Sequence, residues 1–235
     1  MTKSRQSEVS RIEAFSDAVF ALSATLLVVS LEVPHGFADL VNNLYGFIAF
    51  AFSFAMLIFI WSQHNAFFRK YGLQDAVTIF WNSILLFVIL FYVYPLKYIS
   101  IGLVSSFLDI NSGPALISSI SELKQLYIIY GIGFVFVFLS FVLLYRHAST
   151  KAGELSLPDS DIFDTRTMLQ YHLLFVMVGL ISVAITVLNI GIRLGLPGWI
   201  YGLLGPILFW HGRHRKRKKQ VKFASTQANN NSKEA

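Results

Sequence analysis

Residues 14–33 read AFSDAVFALSATLLVVSLEV, an almost uninterrupted apolar run near the start of the chain. A helix needs about 20 mostly apolar residues to cross a hydrocarbon core of about 30 Å, and this run has that length. It is too long for the apolar core of a cleaved signal peptide, and no small-residue cleavage site follows it. We therefore expect Ala14–Val33 to be a retained transmembrane helix.

Further apolar segments follow along the chain, and the composition agrees with them: 55% of the 235 residues are hydrophobic and 14% are charged. The last segment is short and contains Pro197 and Pro206, so we expect it to cross with help from bilayer thinning or neighbouring helices. The sequence predicts an all-α polytopic membrane protein with six transmembrane helices. The five segments after the first are Leu40–Trp61, Ala76–Pro95, Leu126–Tyr145, Met168–Ile192 and Leu196–Trp210.

The basic residues divide unequally between the two sides of the predicted membrane. When the loops are assigned alternately to the two sides, all but three of the 19 Lys and Arg residues fall on one side, and the exceptions are Lys97, Lys124 and Arg193. Cytoplasmic loops carry such an excess. We expect both termini in the cytoplasm and an even number of spans.

Several classes of chemistry are excluded by the composition. The chain has no cysteine, so it forms no disulfide, thiolate nucleophile or Cys-ligated metal site. It also has no HExxH or GxSxG motif and no cluster of metal ligands, so we expect no enzyme, no metal site and no cofactor. The net charge of +6 is read as a topology signal in a lipid-soluble chain, so nucleic acid is not an expected partner.

The chain divides into a membrane domain, residues 1–212, and a basic juxtamembrane segment with a disordered tail, residues 213–235. The basic run Arg213–Lys219 is either a topology signal alone or a contact for anionic lipid headgroups. In the outer loop, residues 96–125, the apolar stretch Tyr98–Leu108 either lengthens the third helix or lies at the interface. The stretch Arg146–Arg166 has the composition of a solvated linker.

Ionisable and amide side chains recur at similar depths in the first three helices. Asp17 lies about one turn inside the first, His64 lies near the cytoplasmic end of the second, and Asn82 lies one to two turns into the third. Such groups are costly in a bilayer and require partners. Because Arg11 and Asp17 are six residues apart, we expect their partners on other helices. We predict a network in which His64 and Asn82, with Trp61 or Trp81 as indole donors, satisfy Asp17.

The first helix begins with Arg11-x-x-x-Phe15-Ser16-Asp17, and this pattern resembles the RxxxFSD signature of the transmembrane protein 175 family of potassium channels. The six-helix chain with one copy of the motif is similar to the prokaryotic single-repeat branch of that family, and this resemblance implies a multi-pass protein of a prokaryotic plasma membrane. Trp61-x-x-His64 at the end of the second helix, and Trp81-Asn82 in the third, also resemble it.

The resemblance implies a homotetramer with a central pore lined by the first helix of each subunit. Members of the family restrict the pore with rings of bulky apolar side chains instead of a TVGYG filter, and this sequence has no TVGYG string. The matching positions here are Leu22, Leu26 and Val29, with Thr25 beside them.

Helix geometry is consistent with this assignment. At 100° per residue, Leu22, Leu26 and Val29 form a narrow stripe, and Thr25 lies 60° from Leu22. Ser16, Ser23 and Ser30 recur every seven residues about 100° away, which is typical of a helix-packing surface. Asp17 lies about 140° from Leu22, so we expect it to point toward the protein.

Two functions remain open at this stage. One is a leak-type potassium channel with a hydrophobic gate and no cofactor, through which the potassium ion permeates. The other is a secondary transporter or proton-coupled carrier that uses Asp17 and His64. Transporters usually show internal repeats and broken helices near the midplane, and the first three helices predicted here show neither.

Overall fold

The computed structural model describes residues 10–29, 36–108 and 119–234, with the side chains of residues 37–46, 103–108 and 223–234 left aside. This part of the chain is helical and contains no strand. The long helices are α1 Arg11–Val29, α2 Phe37–Tyr71, α3 Ala76–Leu108, α4 Ile120–Thr150 and α5 Asp159–Val187. The short helix α6 Leu196–Trp199 lies between two 3-10 turns, Ile192–Leu194 and Ile200–Leu203, and α7 Leu204–Glu234 follows.

Five of these helices are long and apolar enough to cross a membrane, and they correspond to the first five predicted segments. The spans are Arg11–Val29, Phe47–Tyr71, Ala76–Gly102, Ile120–Thr150 and Asp159–Val187. Several helices run beyond the predicted ends, because helix continues into the polar interface where the prediction from hydropathy stops. In α3 the helix passes Pro95 and reaches Leu108. The stretch Tyr98–Leu108 is therefore a lengthening of the third helix.

The predicted solvated linker Arg146–Arg166 is mostly helix in the structure. Helix α4 ends at Thr150 and α5 begins at Asp159, so only residues 151–158 connect them. Asp159 and Asp161 lie in the first turn of α5, where the partial positive charge of a helix N-terminus stabilises carboxylates. The acidic residues whose composition suggested a linker thus form the start of a helix.

The sixth predicted segment, Leu196–Trp210, is not one regular α-helix. Its backbone changes from α6 to a 3-10 turn and back to α near its prolines and glycines. The Ser182 hydroxyl of α5 donates a hydrogen bond of 2.8 Å to the Pro197 carbonyl, which holds the segment against α5. Helix α7 then continues to Glu234, where composition predicts a disordered tail. Lys, Arg, Gln and Ala favour helix once it has started.

The helices follow one another across the subunit. Helix α1 packs on α2 and α3, α3 packs on α4, α4 packs most extensively on α5, and α5 packs on α7. Helix α1 therefore lies at one edge of the subunit and α7 lies at the other.

Glycines permit the close packing around α4. A Cβ atom on Gly131 would lie 2.5 Å from a methyl group of Val183, and one on Gly179 would lie 2.8 Å from a methyl group of Val135. Small residues allow membrane helices to approach in this way. The pair α4–α5 is thus a firm support for the helices on either side.

Polar contacts join the helices at the end of the bundle that carries Arg69, Arg146 and Arg166, which we call the basic end. Asp75, in the turn between α2 and α3, accepts hydrogen bonds from the Thr78 backbone N–H at 2.9 Å and from His147 of α4 at 2.8 Å. Partial burial acts to raise the pKa of Asp75, but these hydrogen bonds outweigh it and hold the pKa at about 2. The turn is therefore fixed to α4 by a carboxylate that stays ionised.

Candidate pore helix and polar network

The sequence assigns Ser16, Ser23 and Ser30 to helix packing, and Ser30 lies outside the described residues. The other two serines lie on the buried face of α1. Ser16 and Ser23 are fully buried, and Phe20 and Leu27 lie on the same face, 5% and 1% exposed. Each serine hydroxyl donates to a carbonyl four residues earlier in α1, at 2.7 and 2.9 Å. Leu27 also lines a small apolar cavity between α1, α2 and α3. This face fixes the rotation of α1 against α2 and α3.

A capping box sets the start of α1. The Glu13 carboxylate accepts a hydrogen bond from the Ser10 backbone N–H at 2.9 Å, and the Ser10 hydroxyl accepts one from the Glu13 N–H at 3.3 Å. The Ser-x-x-Glu spacing before an apolar run is a signal of this arrangement, and it was missing from the sequence prediction. The two reciprocal bonds satisfy backbone N–H groups at the helix N-terminus, so the box fixes where α1 begins, one to two turns before Ser16 and Asp17.

Three helices are joined by a chain of hydrogen bonds. The Asn82 side-chain amide of α3 donates to the Ser16 hydroxyl of α1 at 2.9 Å. Its Oδ1 atom is then the acceptor for Nε2 of His64 on α2, at 2.8 Å. Asn82 is 2% exposed and His64 is 1% exposed. The chain supplies partners for buried polar groups that would otherwise be costly in lipid.

Asp17 belongs to a separate pair. Its Oδ1 atom accepts a hydrogen bond of 2.8 Å from the Trp61 indole N–H. The sequence predicts an inward-pointing Asp17 satisfied by His64 and Asn82, with Trp61 or Trp81 as indole donor. The bond from Trp61 is present, but the Asp17 side chain is exposed and bonds neither His64 nor Asn82. Asn82 bonds Ser16 instead, and His64 bonds Asn82, because Ser16 lies on the centre of the buried face and Asp17 follows it 100° around the helix.

The remaining motif residues form no hydrogen bond with this network among the described side chains. They are Arg11, Phe15 and Trp81. Arg11 and Phe15 are exposed, with 64% of Phe15 accessible. Trp81 is half-buried and packs edge-on against Phe80, with ring centroids 5.0 Å apart. Thus Trp61, and not Trp81, is the indole donor to Asp17.

The apolar stripe of α1 lies on the face that the subunit does not bury. Leu22 is 51% exposed and Val29 is 73% exposed. Thr25 is also exposed, and Leu26 is half-buried beside them. The Thr25 hydroxyl donates to the Ala21 carbonyl at 2.9 Å, which leaves its oxygen free to accept from the exposed side.

The described residues contain no group of three or more His, Cys, Asp or Glu side chains arranged to hold a metal ion.

A model of the family described as endosomal/lysosomal potassium channel TMEM175 matches residues 11–92, which include every residue of the network and the stripe. A relative named potassium channel, from Marivirga tractuosa, is 40% identical over 226 residues, which cover 92% of this chain and 91% of the relative. The chain belongs to the TMEM175 family.

Solved structures agree with this assignment. A crystal structure of the potassium channel MtTMEM175, a variant in complex with a Nanobody-MBP fusion protein, superposes with a TM-score of 0.78 at 40% identity. The match covers 91% of this TMEM175 chain and 96% of that chain. A second neighbour is a lysosomal potassium-selective channel TMEM175 homolog from Chamaesiphon minutus, with a TM-score of 0.51 at 26% identity over 85% of this chain and 99% of that one. The resemblance found in the RxxxFSD motif is thus confirmed.

Proposed function

We propose that this TMEM175 chain forms a leak-type potassium channel, as a homotetramer whose central pore is lined by α1. Membership of the family supports the proposal, because the relatives that match across nearly the whole chain are named potassium channels. Both residue sets that the proposal uses, the stripe and the polar network, lie within residues 11–92. No cofactor is required.

The observation that carries the pore assignment is the position of α1. It lies at an edge of the subunit, buries a face with two serines against α2 and α3, and leaves Leu22, Thr25 and Val29 uncovered. In a tetramer built around this edge, four copies of the stripe surround the axis. Leu22, Leu26 and Val29 then form apolar rings, and Thr25 adds a ring of hydroxyl oxygens.

Such rings act on permeation through ion hydration. An apolar ring offers no ligands to replace lost water, so an ion crosses it by shedding part of its hydration shell, and the ring closes when it dewets. Potassium holds its water less tightly than sodium does. A narrow apolar constriction therefore favours potassium without a filter of backbone carbonyls.

The alternative, a secondary transporter or proton-coupled carrier using Asp17 and His64, is not favoured by the comparisons or by the geometry. Asp17 lies on the subunit surface with Trp61, while His64 is buried with Asn82 as its partner. The two groups belong to separate hydrogen-bonded sets, so a proton relay between them has no direct link among the described side chains.

Reconstitution of the full chain in liposomes tests the proposed function. With a potassium gradient across the membrane, we expect discrete single-channel steps and a reversal potential that moves toward the potassium equilibrium potential. A slow flux that saturates with concentration and shows no steps would assign the chain to the carriers.

We also propose that the chain crosses a plasma membrane six times, with the segment Leu196–Trp210 as the sixth crossing and the basic end in the cytoplasm. Tags at Met1 and at Ala235 are then expected to react only from the cytoplasmic side, whereas a tag at Asn111 is expected to react from outside. The asymmetry of Lys and Arg is the physical reason. Labelling of the Ala235 tag from outside would require an odd number of spans.

A further inference from the structure

Helix α7 runs antiparallel to α5, and polar contacts mark its register. From the middle of α5 toward its start, His211 meets Gln170 at 3.3 Å, Arg215 donates to the Thr167 hydroxyl at 2.9 Å, and Lys219 donates to Asp164 at 2.6 Å. The Arg215 guanidinium also lies over the Phe163 ring, 4.0 Å from its centroid. These three α7 residues, spaced four apart, form the face turned toward α5.

Three other basic residues of this region face away from α5. Arg213, Lys216 and Arg217 are exposed, and no acidic side chain in the described part of the chain forms an ion pair with them. They lie between the contacts of His211 and Lys219, so they stand level with the first three turns of α5. We call these three residues the outer basic face of α7.

Aromatic side chains lie next to this face on its apolar side. Phe209 is 71% exposed and Trp210 is 78% exposed, and both precede Arg213 by about one turn. Large exposed aromatic rings followed by Lys and Arg are typical of a helix that leaves the hydrocarbon core and enters the headgroup layer. The order of residues along α7 thus matches the order of layers in a membrane.

The position of α7 in the subunit determines what the outer basic face contacts. Helix α7 packs on α5 at the edge of the subunit opposite α1. If α1 lines the central axis, α7 lies at the perimeter of the tetramer, against lipid. A cationic surface at headgroup depth on the perimeter is complementary to anionic phospholipids of the cytoplasmic leaflet.

We propose that the outer basic face of α7 is a binding site for the phosphate-bearing headgroups of anionic lipids, with Arg213, Lys216 and Arg217 as the main contacts and Trp210 at the acyl boundary. The site rests on the proposed function for its orientation and its place on the perimeter. Arg215 and Lys219 have a different role: they hold α7 to α5 and so keep the outer face in register with the membrane surface.

The test is a lipid titration of the full chain, purified in detergent and followed by native mass spectrometry. Phosphatidylglycerol and phosphatidylcholine with the same acyl chains are compared on the native protein and on a triple variant, Arg213→Gln, Lys216→Gln and Arg217→Gln. Each basic residue near an anionic surface is worth about fivefold in affinity, so the triple variant should bind phosphatidylglycerol on the order of 100-fold more weakly. Its binding of phosphatidylcholine should not change.

The matched control removes the same charge from other exposed residues of the basic end, with Arg69→Gln, Arg146→Gln and Arg166→Gln. This variant should keep its affinity for phosphatidylglycerol within about fivefold of the native chain. An equal loss in both variants would show that the whole basic end attracts lipid and would overturn the assignment to α7. Displacement of the lipid by inorganic phosphate or soluble polyglutamate at matched charge would also overturn it, in favour of a soluble anion.

Two further measurements separate this proposal from the proposed function. The charge-conserving variant Arg213→Lys, Lys216→Arg and Arg217→Lys should bind phosphatidylglycerol nearly as well as the native chain, and loss of binding there would contradict a headgroup site. Potassium flux of the glutamine triple variant in vesicles of pure phosphatidylcholine should equal that of the native chain. A native chain that conducts no potassium but selects phosphatidylglycerol would refute the channel and leave the lipid site standing.

Discussion

Replacement of Leu22 by alanine is expected to raise the potassium current and to lower the preference for potassium over sodium. In the proposed tetramer, trimming four copies of this side chain widens the apolar ring and lets more water accompany each ion. If the barrier falls by about 1.4 kcal/mol, the current rises about tenfold. Reconstituted channels in bi-ionic potassium and sodium solutions give both the current and the permeability ratio.

The structure supplies two controls on the same helix. Val28 is 50% exposed but lies 120° from Leu22, so Val28→Ala should leave the permeability ratio unchanged. Leu27 is 1% exposed, so Leu27→Ala should lower stability by about 2 to 5 kcal/mol without changing selectivity. A changed ratio in these two variants, with none in Leu22→Ala, Leu26→Ala or Val29→Ala, would show that α1 does not face the pore along the stripe.

Replacement of Asn82 by alanine should destabilise the subunit more than any other change in the polar network. It removes the acceptor for His64 Nε2 and the donor to Ser16, both buried. An unsatisfied buried group costs about 1 to 3 kcal/mol, so the two together cost about 2 to 6 kcal/mol. The midpoint of thermal unfolding in detergent measures the loss.

Comparison variants define the source of that loss. Ser83→Ala, on the adjacent exposed position of α3, removes only a hydroxyl that bonds within its own helix and should have little effect. Asp17→Ala should cost about 1 kcal/mol, because it breaks an exposed hydrogen bond with Trp61. If Asp17→Ala proves more damaging than Asn82→Ala, Asp17 has a further partner on a neighbouring chain.

The sequence is sufficient to predict the five long spans, because a run of apolar residues matched to bilayer thickness is a strong one-dimensional signal. The ends of the helices are not predictable in this way. Helix α3 passes Pro95, since a membrane helix tolerates a proline when neighbouring groups satisfy the freed backbone. The acidic start of α5 resembles a loop in composition, although the same carboxylates favour a helix N-terminus.

The polar network, too, can be predicted from the sequence only in part. Topology places Arg11, Asp17, His64 and Asn82 at similar depths, and this much follows from the order of the spans. The pairing within the group depends on how each helix is rotated. A difference of 100° between adjacent positions decides that Asn82 reaches Ser16 and that Trp61 reaches Asp17.

The position of α1 at the edge of the subunit has a consequence for how the family can diversify. The Leu22, Thr25 and Val29 side chains contribute little to the packing of their own subunit, whereas Ser16, Phe20, Ser23 and Leu27 are almost completely enclosed by it. Substitutions on the outward stripe thus leave the fold of a single chain nearly as stable as before. In the proposed channel lined by this stripe, conductance and ion preference are free to vary along one face of the helix while folding constrains the other, so the two properties are separable in the course of evolution.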